Sequence, residues 1–210
     1  MAARRPAGGE RVSHADQKHR TRTALVAACR QLIRSGADVT MPAAAQAAGV
    51  SEATAYRHFP DLVSLINEAL AGLWPAPAEA LAPVAGSADP VVRIGFACEF
   101  LLRGVTRYQG SVRAVIAATI TRPASVPARP GIRFGLIDQA LDPVITPGGA
   151  AAADRLRQLK RDLAAVVSAE AFFSLTDLCG LGVDDAIASL VRTAQTVTGA
   201  ALPEIEALQG

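Results

Sequence analysis

Side chains that most enzymes depend on are scarce in this chain. Of its 210 residues three are histidines, His14, His19 and His58, all within the first sixty. No phosphate loop, nucleophile elbow or metal-ligand cluster accompanies them, and the serines and aspartates are scattered through helical patterns without a histidine partner. Catalysis is therefore not expected, nor is a metal or an organic cofactor. Cysteine is also rare: Cys29, Cys98 and Cys179 are odd in number and far apart, in apolar helical patterns. That excludes a zinc spacing and predicts reduced, buried thiols in a cytoplasmic protein. No apolar run reaches the eighteen or so residues of a membrane span. The basic, polar N-terminus lacks the apolar core of a signal peptide. An alternating strand pattern of useful length is missing too, so the fold class is all-α.

What is present is helical and unevenly charged. Half the residues are hydrophobic, ample for a sizeable core. Residues 1–60 carry nine lysines and arginines against four acids, a balance of +5, while residues 61–210 carry twelve against fifteen, a balance of −3. A positive N-terminal end is the electrostatic footprint of nucleic-acid binding when a matching motif lies within it.

That motif occupies residues 43–59. Alanines 43, 44, 47 and 48 permit close packing of a first short helix. Gly49 supplies the positive φ of a sharp turn, Val50 plugs the angle, and Ser51 caps a second helix through its hydroxyl. The second helix presents Glu52, Thr54, Tyr56, Arg57 and His58, a set fitted to a DNA groove and its phosphates. Upstream, a helix over about 18–35 carries Leu25, Cys29, Leu32 and Ile33 on one face and stops at Gly36; Thr40 opens the next helix, with Pro42 in its first turn. Residues 1 to about 17 read as a disordered basic arm whose Arg4, Arg5 and Arg11 are either minor-groove contacts or simply solvated.

Ala48-Gly49-Val50-Ser51, Tyr56-Arg57-His58-Phe59 and a helix opening at Asp61 together resemble the tetracycline-repressor (TetR) family, over roughly residues 20–70. Arg22 to Ala28 resemble the family's first helix. The chain departs from that pattern at Ala53, where a glycine is usual, at Ala55, where a bulkier apolar residue is usual, and at Leu62, where a lysine normally touches a phosphate. The resemblance implies a three-helix DNA-binding domain with its connecting helix over 18–74, followed by a larger ligand-binding and dimerisation domain over 75–210. It implies a homodimer on a palindromic operator of double-stranded DNA, and a repressor released by a small effector. Ser51 and Thr54 would contact phosphates or base edges, Tyr56 and His58 would hold phosphates, Arg57 and Glu52 would read bases, and Arg22 and Thr40 would anchor neighbouring phosphates.

A connecting helix is expected over about 61–73, and in the larger domain helices over about 91–108, 111–121, 131–146, 150–179 and 184–200. Asp61 and Asp184 are expected as caps, and Pro143 as a kink or stop. Prolines 123, 127 and 130 mark a loop. Leu156, Leu159, Leu163 and Val166, with Ile187, Leu190, Val191, Ala194 and Val197, form seams that serve either a dimer interface or the core of one chain. The resemblance implies an effector pocket, for which Phe96, Phe100, Phe134, Phe172 and Phe173 offer apolar walls and Arg103, Tyr108 and Gln139 polar contacts. So apolar a lining favours an apolar or aromatic effector. A second reading is a ligand- or protein-binding module with a weakened DNA-binding head.

Overall fold

The computed structural model describes residues 14–121, 131–143 and 145–208, and among them every regular element is a helix. The chain divides into two compact units, Met1–Ala69 and Leu70–Gly210. The division falls inside a helix, a few residues before the boundary at 74–75 that the resemblance implies. Residues 1–13 of the basic arm, with Arg4, Arg5 and Arg11, and the proline-marked loop at 122–130 lie outside the described residues.

In the first unit, α1 (His14–Ser35) starts four residues before the sequence expectation. Its i, i+4 stripe of Leu25, Cys29 and Ile33 is buried. Gly36 ends it at φ +72°, with Ala37 N–H donating back to the Leu32 carbonyl at 3.2 Å, so the last carbonyls of the helix are satisfied by the left-handed turn. α2 (Met41–Ala47) and α3 (Glu52–His58) pack on one another and on α1. α4 (Leu62–Ala71) begins behind Asp61, whose carboxylate accepts from Ser64 N–H at 2.7 Å, as expected of a cap.

The second unit is organised on α6 (Pro90–Arg107), which packs chiefly against α11 (Val183–Ala207) and also against α7 (Gln109–Thr121), α8 (Ile132–Leu141) and α10 (Ala169–Asp177). α9 (Ala150–Val166) lies against α8 and α11, and the short α5 (Pro77–Ala80) against α8. Gly95 of α6 leaves room for the Gln195 side chain of α11: a Cβ built there would stand 2.6 Å from its amide nitrogen.

One polar side chain clamps this unit from inside. Arg93 is only 2% exposed, yet among the described residues no carboxylate accompanies it. Its guanidinium instead donates to the carbonyls of Ala140 (2.8 Å), Gln139 (2.7 Å), Val84 (2.8 Å) and Ala85 (3.3 Å), with a longer approach to Ser87. Those carbonyls end α8 and the turn after α5, where partial negative charge collects and a cation is favoured.

Several expectations need correction. The single helix expected over 150–179 is two, because Val167 and Ser168 leave helical geometry and Ser168 caps α10, accepting from Ala171 N–H at 3.1 Å. The separation near Gly110 falls instead at Tyr108, and Gly110 sits in the first turn of α7. α8 stops at Leu141, before Pro143. α11 runs on through Pro203 to Ala207, and Gly182, not Asp184, takes its cap position. Of the cysteines, Cys29 and Cys98 are buried but Cys179 is exposed beyond the end of α10. Among the described residues no helix is long and apolar enough to cross a membrane.

Candidate nucleic-acid interface

The turn between α2 and α3 is built from backbone chemistry upward. Thr40 Oγ1 accepts from Ala43 N–H at 3.2 Å and starts α2, while Pro42 occupies a first-turn position that needs no donor. At the other end Gly49 (φ +68°) donates to the Gln46 carbonyl at 3.1 Å and Val50 to that of Ala45 at 3.0 Å. This pair of bonds closes α2 and turns the chain sharply. Ser51 then caps α3, its Oγ accepting from Thr54 N–H at 3.2 Å. The alanines that pack the turn are Ala44, Ala45 and Ala55; Ala47, expected to pack, is exposed.

α3 presents two faces. Ala55 is buried within it, with Phe59 just beyond its end. Glu52, Tyr56 and Arg57 are exposed, and Thr54 and His58 half-exposed. All five side chains of the expected contact set therefore reach the surface of α3, spread around every side of it except that of Ala55. Part of the set is self-bonded: Ser51 Oγ lies 2.9 Å from Thr54 Oγ1, which also accepts from Arg57 at 2.9 Å. A phosphate or base edge can replace these exposed bonds without leaving a buried group unpaired. Lys18, Arg22 and Arg57 face His58 and, after desolvation, lower its pKa below the ordinary 6.5.

Arg22 is differently placed from the sequence expectation. Its guanidinium pairs with Glu68 of α4, donates to the His58 carbonyl at 2.8 Å and lies 4.1 Å from the Phe59 ring centroid. Three partners fix it as a clamp on the corner between α3 and α4, and a phosphate would have to compete with Glu68 for it. Nearby, Arg30 Nε donates to the Ala69 carbonyl at 3.1 Å, tying α1 to α4 a second time. No sequence signal pointed to Glu68 or Arg30, because their partners lie about forty positions away in the chain. Leu62, which stands where the resembling family has a lysine, is half-buried.

The residues proposed from sequence for an effector pocket do not gather in one place. Phe96, Phe100, Arg103 and Tyr108 share an open cleft of about 420 Å³ with Trp74, whose ring meets Phe100 and Tyr108 edge-on at 6.2 and 6.4 Å. Arg103 is occupied there by Asp184 at 2.5 Å and by Glu99. Gln139 lines a separate shallow cleft, and Phe134 is exposed. Phe172 and Phe173 are core, packed edge to face at 5.5 Å. A different cavity, of about 90 Å³, lies between α6, α7, α8 and the start of α10. Trp74, Leu101, Val105, Val115, Ile116 and Ile132 wall it, and Arg133, Ser168 and Glu170 form its polar end.

Most of the seam residues likewise belong to one chain. Leu156, Leu159, Leu163, Ile187, Leu190 and Ala194 are buried in the core of the second unit, and Val166, Val191 and Val197 pack partly against it. Leu156, Leu159 and Leu163 on α9 and Ile187, Leu190 and Ala194 on α11 thus serve the core of one chain, while Val166, Val191 and Val197 keep a partly exposed edge. Among the described residues no three His, Cys, Asp or Glu side chains cluster as metal ligands.

Comparison with known proteins agrees with this geometry. Residues 24–69, the segment that holds α2 and α3, match the family of bacterial regulatory proteins, tetR family. A TetR transcriptional regulator from Rhodococcus sp. RHA1 is similar in fold, with a TM-score of 0.56 at 21% identity over 86% of this chain and 97% of that one. No curated protein matches the chain.

Proposed function

We propose that the chain is a sequence-specific transcriptional repressor that acts as a homodimer on a palindromic operator and is released by a small apolar or aromatic effector. The observation that carries this reading is the exposed surface of α3, capped at Ser51 and held at its far end by Arg22, within the segment matching the tetR family. In this reading Thr40, Ser51, Thr54, Tyr56 and His58 hold phosphates, while Arg57 reads guanine and Glu52 cytosine. Arg22 acts through the corner it clamps.

One reading helix covers too few base pairs for specificity. Two, spaced by one turn of DNA (about 34–36 Å) or a multiple, match a two-fold operator. The core takes up the inward seams, so the dimer face is the outward stripe of α11: Ala188, Arg192, Thr196, Gly199 and Pro203, all exposed. Effector release rests on the apolar cavity of the second unit. A ligand shifts the equilibrium only by its preference between states, and moving 1:99 to 99:1 needs about 5.5 kcal/mol.

Selection of binding sites from a random duplex library tests the reading. A palindromic consensus is the expected result. No enrichment would instead favour the module with a weakened head, for which Leu62 is the supporting observation.

A further inference from the structure

The open cleft of about 420 Å³ shares only Trp74 with the smaller apolar cavity. Its floor is one face of α6, where Phe96, Phe100, Gly104 and Tyr108 recur at four-residue spacing. The Trp74 ring takes the place of the side chain that Gly104 lacks, and a Cβ there would overlap it. Trp74 thereby fills the gap between Phe100 and Tyr108 and meets both edge-on. Four aromatic side chains, each half-buried, thus line a space open to solvent. Such walls fit a flat aromatic body, because ring pairs add to the gain from burial alone.

The polar groups of the cleft are unequally engaged. Glu99, the one carboxylate among the lining residues, accepts twice from Arg103 at 3.4 Å, and Arg103 also donates to Asp184 at 2.5 Å. Those three charges answer one another. One turn further along α6, Arg107 has no partner among the described residues, and neither the Trp74 indole N–H nor the Tyr108 hydroxyl is hydrogen-bonded. The cleft therefore holds unengaged donors and no unengaged carboxylate. A cation entering it would meet two guanidiniums, whereas an anion would complete Arg107.

We propose that this cleft binds an aromatic monocarboxylate, its ring against Phe96 and Phe100 and its carboxylate on the Arg107 guanidinium. At about 420 Å³ the cleft lies within the roughly 300–1,000 Å³ usual for small-molecule sites and admits a two-ring body. The cavity of about 90 Å³ does not, being smaller than the roughly 150 Å³ hole that accepts benzene in another protein. Charge-assisted, two-pronged binding to a guanidinium provides the orientation that aromatic walls alone lack. This site is additional to the cavity on which effector release rests, and it stands whether or not the chain binds DNA.

Trp74 is the only tryptophan of the chain and lines the cleft, so its indole N–H gives one proton–nitrogen cross-peak whose movement reports occupancy. The full chain is titrated with 2-naphthoate, with its uncharged counterpart 2-naphthamide, and with the cation 2-naphthylmethylammonium. The expected order of affinity is carboxylate, amide, ammonium. The carboxylate leads the amide by about threefold, the worth of one exposed ion pair, and the margin shrinks as salt is added. Arg107→Gln removes the margin yet still binds the amide, which shows that the cleft is intact. Phe96→Ala, altering a residue that lines the cleft and not the cavity, weakens binding of the carboxylate and the amide alike. Equal binding of carboxylate and amide to the unaltered chain overturns the proposal. So does tightest binding of the ammonium, a margin that survives Arg107→Gln, affinities indifferent to Phe96→Ala, or no saturable shift with 2-naphthoate.

Discussion

The two units are specified by different kinds of information. In the first, helix boundaries are set by single residues acting on their neighbours: Gly36, Thr40, Gly49, Ser51 and Asp61. The second keeps some local caps, such as Ser168, but is held together by contacts between helices far apart in the chain. Gly95 leaves room for Gln195, and Arg93 gathers carbonyls from two distant segments. Local signals are written next to the structure they control, and packing signals are not. The contrast explains why the reading helix was visible in the sequence and the cavity was not.

The largest expected difference between the units comes from Arg93. Arg93→Ala leaves five carbonyls facing a hole and should lower unfolding free energy by about 3 kcal/mol or more in urea. A loss under about 1 kcal/mol would break the claim that the second unit depends on a distant polar clasp. Next is the corner at Arg22. Glu68→Ala frees its guanidinium, so a direct phosphate contact would tighten duplex binding. A clamp predicts weaker binding instead, by about tenfold if one charged hydrogen bond is lost; a gain in affinity would return Arg22 to the phosphate. In the turn, Ser51→Ala should cost about 1 kcal/mol of stability through loss of one cap, and an unchanged melting temperature would contradict the local account of α3.

Two smaller effects sharpen the same contrast. Burial pushes Cys98 up to about 12, with Glu99 adding to it, and Cys29 up to about 12 against the opposing charge of Arg30. Cys179 is exposed. A thiol reagent should therefore modify the folded chain rapidly at Cys179 alone, as mass spectrometry of the labelled peptides would reveal; rapid labelling of Cys98 would mean that the core opens readily. His58 is disfavoured as a cation in the fold, by desolvation first and by Lys18, Arg22 and Arg57 next. The unfolded chain takes up the proton near 6.5 and the folded chain only at lower pH. His58 thus contributes stability that is complete above that pH and is lost as pH falls below it. His58→Gln should flatten this acid limb slightly, and an identical pH profile would remove His58 from the account. Duplex affinity, in contrast, should rise over the same acid range, because phosphate favours the imidazolium.

How far the sequence could be read follows from the reach of each signal. The all-α class, the turn at Gly49 and the exposure of the contact set from Glu52 to His58 follow from periodicity and caps, and the fold shows all three. The break at Val167-Ser168 was missed because Ala, Val and Leu continue the helical pattern through it. Yet Ser168 before Ala169-Glu170 is a cap signature that could have marked it. Phe172 and Phe173 looked like ligand contacts because aromatic side chains fit both pockets and cores; burial alone separates the two. Arg133 and Glu170 carried no sequence signal, since thirty-seven positions part them. The same holds for the seam residues of α9 and α11, whose spacing is identical whether they face a partner or their own α6.

We propose α3 as a working DNA-reading surface despite Leu62 and the engagement of Arg22. The most direct test of that role is the affinity of the full chain for its selected duplex, measured across salt concentrations beside the Tyr56→Ala variant. The predicted result is two chains per duplex, a steep fall in affinity with salt as phosphate contacts release counterions, and weaker binding to every duplex for Tyr56→Ala. A flat salt dependence with Tyr56→Ala indistinguishable from the unaltered chain would contradict it.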